Sequence, residues 1–259
     1  RQGIPGQEHP TPPDAYANGC HWPVTFTFTI PTEWRAGFYE VALYGDGVVG
    51  ETAVSHAFFV VRALHPGRDT SILLVLSTNT YNAYNKWGGE CLYTGVTQVS
   101  FARPFERGYV TKPIDPDGFD GRNANVTPAP DPDHKRLQRY LSDNKIALWS
   151  ASGGWHNWER RFVRWAESNG FQFDYAINSD LAIRPELLGH YKLMVSVGHD
   201  EYWSWEMRDT VDTFVAQGGN VAFFAGNALY WQVRYADEGR TMVCHKYSAR
   251  TTDPVMGTE

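Results

Sequence analysis

Cysteine is scarce in this chain: Cys20, Cys91 and Cys244 are the three present in 259 residues. Their odd number and wide spacing exclude a disulfide framework, and a reducing, cytoplasmic setting is the expectation that goes with them. Long apolar runs are lacking too. None approaches the ~20 residues a helix needs to cross a bilayer, so no membrane partner is expected. Nor is there a basic excess: 23 Lys and Arg against 29 Asp and Glu leave a net charge of −6, which makes nucleic acid and anionic membranes poor partners. There is no internal repeat, no low-complexity tract and no signal-peptide pattern. The chain opens at Arg1 without methionine and stops after a turn-like stretch, Thr252 to Gly257, which leads us to expect a piece of a longer polypeptide. What these exclusions leave is an ordinary folded chain. With 42% hydrophobic and 20% charged residues it has material for one large domain or two smaller ones.

The pattern changes near Pro66-Gly67-Arg68. Residues 1–66 read as an irregular, Pro- and Gly-rich beginning followed by β-structure. Val24 to Ile30 alternates apolar and polar residues, Phe38 to Tyr44 does the same before the turn residues Gly45-Asp46-Gly47, and Ala57 to Val61 is a third strand. Three strands in so short a stretch predict part of a β-sandwich. Residues 67–259 read as alternating strands and helices. Ile72 to Leu76 is a buried strand of the parallel kind, and Thr78 to Asp133 reads as long loops. A helix is predicted over His156–Ser168, with Trp158, Phe162 and Trp165 as its apolar stripe and Asn169-Gly170 as its stop. Strands follow at Phe173–Ile177, Tyr191–Val197 and Asn220–Ala225, with a short helical segment at Leu181–Leu188. Between the last two strands lies a helix capped by Ser204 that buries Met207, Val211, Phe214 and Val215. This order predicts an α/β fold with a doubly wound, mainly parallel sheet.

Ligands of such sheets bind outside the carboxyl ends of the strands. The run Gly198-His199-Asp200-Glu201-Tyr202-Trp203 stands there. Alternation along an extended segment predicts His199 and Glu201 on one side and Asp200 on the other, which suits a metal site or an acid–base pair. The plainer interpretation makes Asp200 a helix cap, Glu201 a favourable charge at a helix start and His199 an ordinary hydrogen-bonding residue. The segment Thr78 to Tyr93 follows another strand end and carries Tyr81, Tyr84 and Tyr93. By itself it reads as an aromatic-lined loop, tyrosine being an uncommon metal ligand. Asn227, in Ala225 to Trp231, is either a substrate-orienting amide or a turn residue.

Taken together, Thr80-Tyr81-Asn82-Ala83-Tyr84-Asn85, Leu92-Tyr93, the Gly198–Trp203 run and Gly226-Asn227 resemble the large (beta) subunit of the N,N-dimethylformamidase family, over about residues 71–253. The resemblance implies a glutamine-amidotransferase-like α/β domain without the catalytic cysteine, accompanied by β-rich domains. It also implies hydrolysis of a small amide at one iron ion, in the ferric form, held by two tyrosines and one glutamate with a histidine and an asparagine nearby. Carried over by motif, the glutamate is Glu201, the histidine His199 and the asparagine Asn227. Tyr93 is one phenolate, and Tyr84 is the other, with Tyr81 as the alternative. Two phenolates and a carboxylate are hard anionic donors suited to Fe(III). A homo-oligomer or a small accessory subunit is implied as partner. The loop before Tyr93 is shorter than the formamidase's, so fold and site transfer more firmly than substrate. Two other readings remain beside it. One is a metal-independent or carbohydrate-active hydrolase using Asp200 and Glu201, and the other is a non-catalytic binding module built on exposed aromatic rings.

Overall fold

The apolar runs do become strands. The computed structural model describes residues 3, 5–45, 55–114, 116, 118–121, 132–151 and 153–257. In chain order its elements are α1 (Ala15–Asn18), β1 (Gly37–Leu43), β2 (Ser55–Val61), β3 (Ile72–Leu76), α2 (Thr78–Tyr84), β4 (Gln98–Ser100), α3 (Pro132–Asp143), α4 (Glu159–Ser168), β5 (Asp174–Ile177), α5 (Asn178–Ile183), β6 (Leu193–His199), β7 (Tyr202–Ser204), α6 (Trp205–Ala216), β8 (Asn220–Gly226), β9 (Trp231–Ala236), β10 (Thr241–Val243) and α7 (Ala249–Thr252). The turn expected at Gly45-Asp46-Gly47 lies outside the described residues beyond Gly45.

The central sheet has the order β5-β3-β6-β8 with every pairing parallel. Its first strand lies inside the sheet. The chain steps outward to β5, then returns across β3 to lay down β6 and β8. Winding reverses between β3 and β6, and segments leaving these two strands diverge, opening a crevice at their carboxyl ends. Period-two alternation sorts the core onto the two faces. Leu73, Val75 and Met194 meet Leu181 of α5 and Met207, Val211 and Phe214 of α6. Leu74, Leu76, Val195 and Val197 meet Val163 and Phe162 of α4. Each such fully buried side chain contributes roughly 1.5–3 kcal/mol.

The helix ends follow their capping residues. Ser204 Oγ accepts from Met207 N at 3.3 Å to start α6. The left-handed Gly218 (φ 92) with Gly219 N–H donating to Phe214 O at 2.9 Å ends it. Gly170 (φ 83) and the bond from Phe171 N to Ala166 O close α4 in the same way. α4 begins at Glu159 rather than His156.

Four expectations need correction. Val24–Ile30 forms no strand; its apolar side chains are exposed, Val24 at 81%, because alternation makes a strand only where another edge is there to pair with it. Among the described residues, the β-structure ahead of the α/β region is therefore one antiparallel pair, β1–β2, rather than the three strands expected. Phe38 and Val60 of that pair pack on the α4 face of the central sheet, and Phe38 stacks on Trp155 at 4.3 Å between centroids. Second, the supposed loops of 78–133 contain α2 and β4. Third, Trp165 is 57% and Val215 49% exposed, each at the margin of its helix's apolar stripe. Fourth, Tyr202–Ser204 is the strand β7 of a second sheet, β4-β10-β9-β7, that the sequence did not announce.

Candidate functional site

The crevice between β3 and β6 gathers the tyrosines and the His-Asp-Glu run. α2 leaves β3 and is buried at every residue. Thr, Asn and Tyr are mediocre helix formers, so hydrogen bonds to neighbours hold it. Asn79 donates to Tyr202 O at 2.9 Å, and Glu201 N–H donates to Thr80 Oγ1 at 3.0 Å. This second bond ties the helix directly to the segment leaving β6. That segment turns at Gly198 (φ 92), where a side chain would strike Trp158.

Beyond the turn, His199 and Glu201 share one side and Asp200 takes the other, as alternation requires. Asp200 accepts from Ser196 Oγ at 2.7 Å and Asn178 Nδ2 at 3.1 Å and is fully buried. It caps no helix; Ser204 does that. Glu201 receives Tyr84 Oη at 3.0 Å, Tyr93 Oη at 2.9 and 3.1 Å, and the Trp231 indole N–H at 2.9 Å. His199 Nε2 lies 3.0 Å from both Glu201 Oε2 and Tyr84 Oη. The two phenol oxygens are 2.6 Å apart, and Tyr202 Oη donates to Tyr93 Oη at 2.9 Å. His199 Nδ1 faces Gly226 O at 3.1 Å. A carbonyl only accepts, so Nδ1 carries a hydrogen and Nε2 is the nitrogen turned toward Glu201 and Tyr84.

Tyr84, Tyr93, Glu201 and His199 are thus brought together, whereas Tyr81 and Asn227 are not. Tyr81, three residues before Tyr84, donates to Glu159 Oε1 at 2.5 Å. Asn227 follows β8 in the left-handed region (φ 49), exposed, and among the described residues makes no hydrogen bond to the group. Tyr202 and Trp231 belong to the quoted motifs, yet nothing in their spacing marks them as partners of Glu201. Lys246 carries no sequence signal at all. Its ammonium sits 3.3 Å from the Tyr93 ring centroid, with Tyr202 and Trp231 at 5.1 and 5.5 Å. Burial lowers its pKa to about 8.

Burial pushes both phenols far above the usual range, with the Glu201 charge adding to the effect on Tyr84. Burial also opposes ionisation of Glu201. The hydrogen bond and charge of His199, with the hydrogen bonds from Tyr93 and Tyr84, outweigh it and leave the carboxyl below its ordinary value. Tyr93 Oη touches four oxygens with one proton to give. Such a crowding of lone pairs is what a cation relieves. Donor atoms on a first-row metal at about 2.0–2.2 Å stand roughly 3 Å apart, which the spacings here match. Among the described residues no group of three or more His, Cys, Asp or Glu side chains is arranged to hold a metal. A metal at this site would rely on the tyrosine oxygens, and the donor set fits a hard trivalent ion.

Behind the cluster, Glu159 is 1% exposed, and burial raises its carboxyl from 4.5 to about 7. The folded state therefore holds a proton that the unfolded chain has released. The corresponding stability is present below about pH 4.5 and is lost as pH rises through about 7, a change of about 3 kcal/mol. Glu159→Gln cannot ionise, so its stability relative to wild type should rise by about that amount between those limits. Urea unfolding across the range measures it, and parallel curves for the two proteins contradict it.

The three thiols are buried, and burial raises each of them, Cys244 to about 11. None is a thiolate nucleophile at neutral pH.

Comparison with known proteins agrees with the residues. The beta subunit of N,N-dimethylformamidase from Alcaligenes sp. is 28% identical over 237 residues, covering 85% of this chain and 29% of that protein. The same subunit from Paracoccus aminophilus is 27% identical over 235 residues, 83% of this chain and 28% of its own length. The chain therefore spans less than a third of these relatives. The family model described as N,N-dimethylformamidase beta subunit-like, C-terminal matches residues 2–259, a wider stretch than the one carrying the motifs. This chain belongs to that family.

Proposed function

We propose that this chain carries the hydrolytic centre of an amide-cleaving enzyme related to N,N-dimethylformamidase, on a glutamine-amidotransferase-like domain that has lost its nucleophile. The observation that carries the reading is the convergence of Tyr84, Tyr93 and Glu201 within 2.6–3.1 Å of one another, with His199 3.0 Å from Tyr84 and Glu201, beside thiols that are inert. The proposed metal is a single ferric ion held by Tyr84, Tyr93 and Glu201. When bound, it supplies Lewis acidity toward an amide carbonyl and acidifies water.

The protein's part is positioning and proton handling. Trp231 and Tyr202 orient Glu201 and Tyr93 from outside the donor set. His199, its Nδ1 anchored on Gly226 O, accepts a proton at Nε2 from attacking water and returns it to the leaving amine. Asn227, adjoining Gly226, is assigned to the developing oxyanion, where one donor is worth about 3 kcal/mol. Its exposed position supports a group that meets substrate rather than protein. A paired-carboxylate mechanism finds no support, because Asp200 faces away and is wholly buried. The relatives are named as subunits, so assembly with further polypeptide belongs to the proposal. Among the described residues, no helix is long and apolar enough to cross a membrane.

The test is iron analysis with a visible spectrum and amide-hydrolysis assays on the purified protein. About one iron per chain and a broad phenolate-to-iron band are expected. Tyr84→Phe should lose the band, whereas Tyr81→Phe, which removes no proposed ligand, should retain one, displaced at most. Loss with Tyr81→Phe and retention with Tyr84→Phe would transfer the ligand role to Tyr81, and a metal-free protein that hydrolyses amides would end the proposal.

A further inference from the structure

Tyr84 rides on a seven-residue helix, α2, that lacks the usual means of fixing itself. Its first turn has no side-chain cap, since Ser77 Oγ is buried without a hydrogen-bond partner. Seven residues are too few for an isolated helix to persist. Placement of the Tyr84 oxygen is accordingly decided by what grips α2 from outside. Asn79 and Thr80 are held by the strands of the second sheet and by Glu201, as described above. On the Tyr81 side the grip is Glu159, the first residue of α4. Its Oε1 receives Tyr81 Oη at 2.5 Å and Ser77 N–H at 3.4 Å.

Residues three apart lie on one side of a helix, so rotation of Tyr81 carries Tyr84 with it. A buried carboxyl is an expensive way to fill space, and a methionine or leucine would pack there at lower cost. Its second oxygen, Oε2, has no hydrogen-bond partner, so Glu159 reaches α2 through Oε1 alone.

We propose that Glu159 is a positioning residue that sets the rotation of α2, and thereby where Tyr84 presents its phenol oxygen to Glu201 and His199. The link to metal binding rests on the ferric reading above, whereas the effect on Tyr84 does not. The experiment uses the purified chain with fluorotyrosine incorporated and the Tyr84 signal assigned through Tyr84→Phe. In metal-free protein, Glu159→Leu should shift or split the Tyr84 fluorine resonance, and Glu159→Gln should restore it to the wild-type position. With ferric ion added, Glu159→Leu should bind about 10- to 100-fold more weakly and displace the visible band, while Glu159→Gln stays close to wild type. An unmoved Tyr84 resonance in a folded Glu159→Leu protein overturns the proposal. If that variant does not fold, Tyr81→Phe decides by the same signal: a shift supports the role and an unchanged position rejects it. Wild-type protein that takes up no iron defeats the metal reading alone, and the fluorine comparison still decides the positioning role.

Discussion

Glu201→Ala is expected to abolish iron binding and to lower amide hydrolysis on the order of 10³-fold or more. More contacts of the cluster run through this carboxylate than through any other group in it: Glu201 meets Tyr84, Tyr93, Trp231 and His199. Without it the two phenols have no anionic partner, and three donors become two. The fold should survive, because Glu201 belongs to none of the apolar clusters. Its removal leaves hydrogen-bond donors able to turn to one another or to water, at a cost of roughly 1–3 kcal/mol. A thermal readout separates loss of metal from loss of structure. On the ferric reading, ion at a hundred times its dissociation constant would stabilise the wild type by ~2.7 kcal/mol, about 5–10 °C for a chain of this size. The variant should show no such rise. One equivalent of iron in folded Glu201→Ala, with its visible band, removes Glu201 from the site.

A large effect on stability is expected at Gly198. Its φ of 92° lies where L residues rarely go, and an added Cβ would stand 2.3 Å from Trp158 Cβ and 2.5 Å from Trp158 Cγ. Those atoms are the fixed root of the tryptophan, next to the backbone that opens α4, and cannot swing aside as a side-chain tip would. Left-handed strain of roughly 1–2 kcal/mol then adds to a clash of similar or larger size. Gly198→Ala should lose more than about 3 kcal/mol, a large share of the ~5–15 kcal/mol typical of a domain. Gly226→Ala is the matched comparison: the nearest atom to its Cβ, His199 Nδ1, is 4.0 Å away. It should change stability by less than about 1 kcal/mol. Equal denaturation midpoints for the two variants contradict this expectation.

How much of this was readable from residues depends on whether the cause was local. Ile72–Leu76 and Leu193–Val197 are buried on both faces, so their runs, apolar but for Ser196, carried the parallel sheet. Ser204 and Gly218 fixed the ends of α6 by chemistry that acts over a few residues. α2 was unreadable because its helicity comes from Glu159, Tyr202 and Glu201, 78 to 123 residues away along the chain. Val24–Ile30 failed in the opposite way, for a strand pattern specifies a face but not a neighbour. β4, β7 and β10 have three residues each, too short to show a period. At the site, alternation foretold that His199 and Glu201 would converge. It could not choose between Tyr81 and Tyr84, both of which fit the motif and which are told apart by their partners, Glu159 for Tyr81 and Glu201, Tyr93 and His199 for Tyr84. Lys246 left no trace, since one lysine in a polar stretch resembles any other.

The middle-out winding of the central sheet has a consequence for how the protein matures. Tyr84 and Glu201 lie 117 residues apart, on segments that meet only after β5 has been laid to one side and β6 to the other. Contacts of such range form late and slowly. An ion gripped by these side chains would therefore arrive after synthesis has passed Glu201, because a chain halted earlier lacks one of the proposed donors. On the ferric reading, loading would belong to the finished fold, and a nascent fragment ending short of β6 should leave the ion in solution.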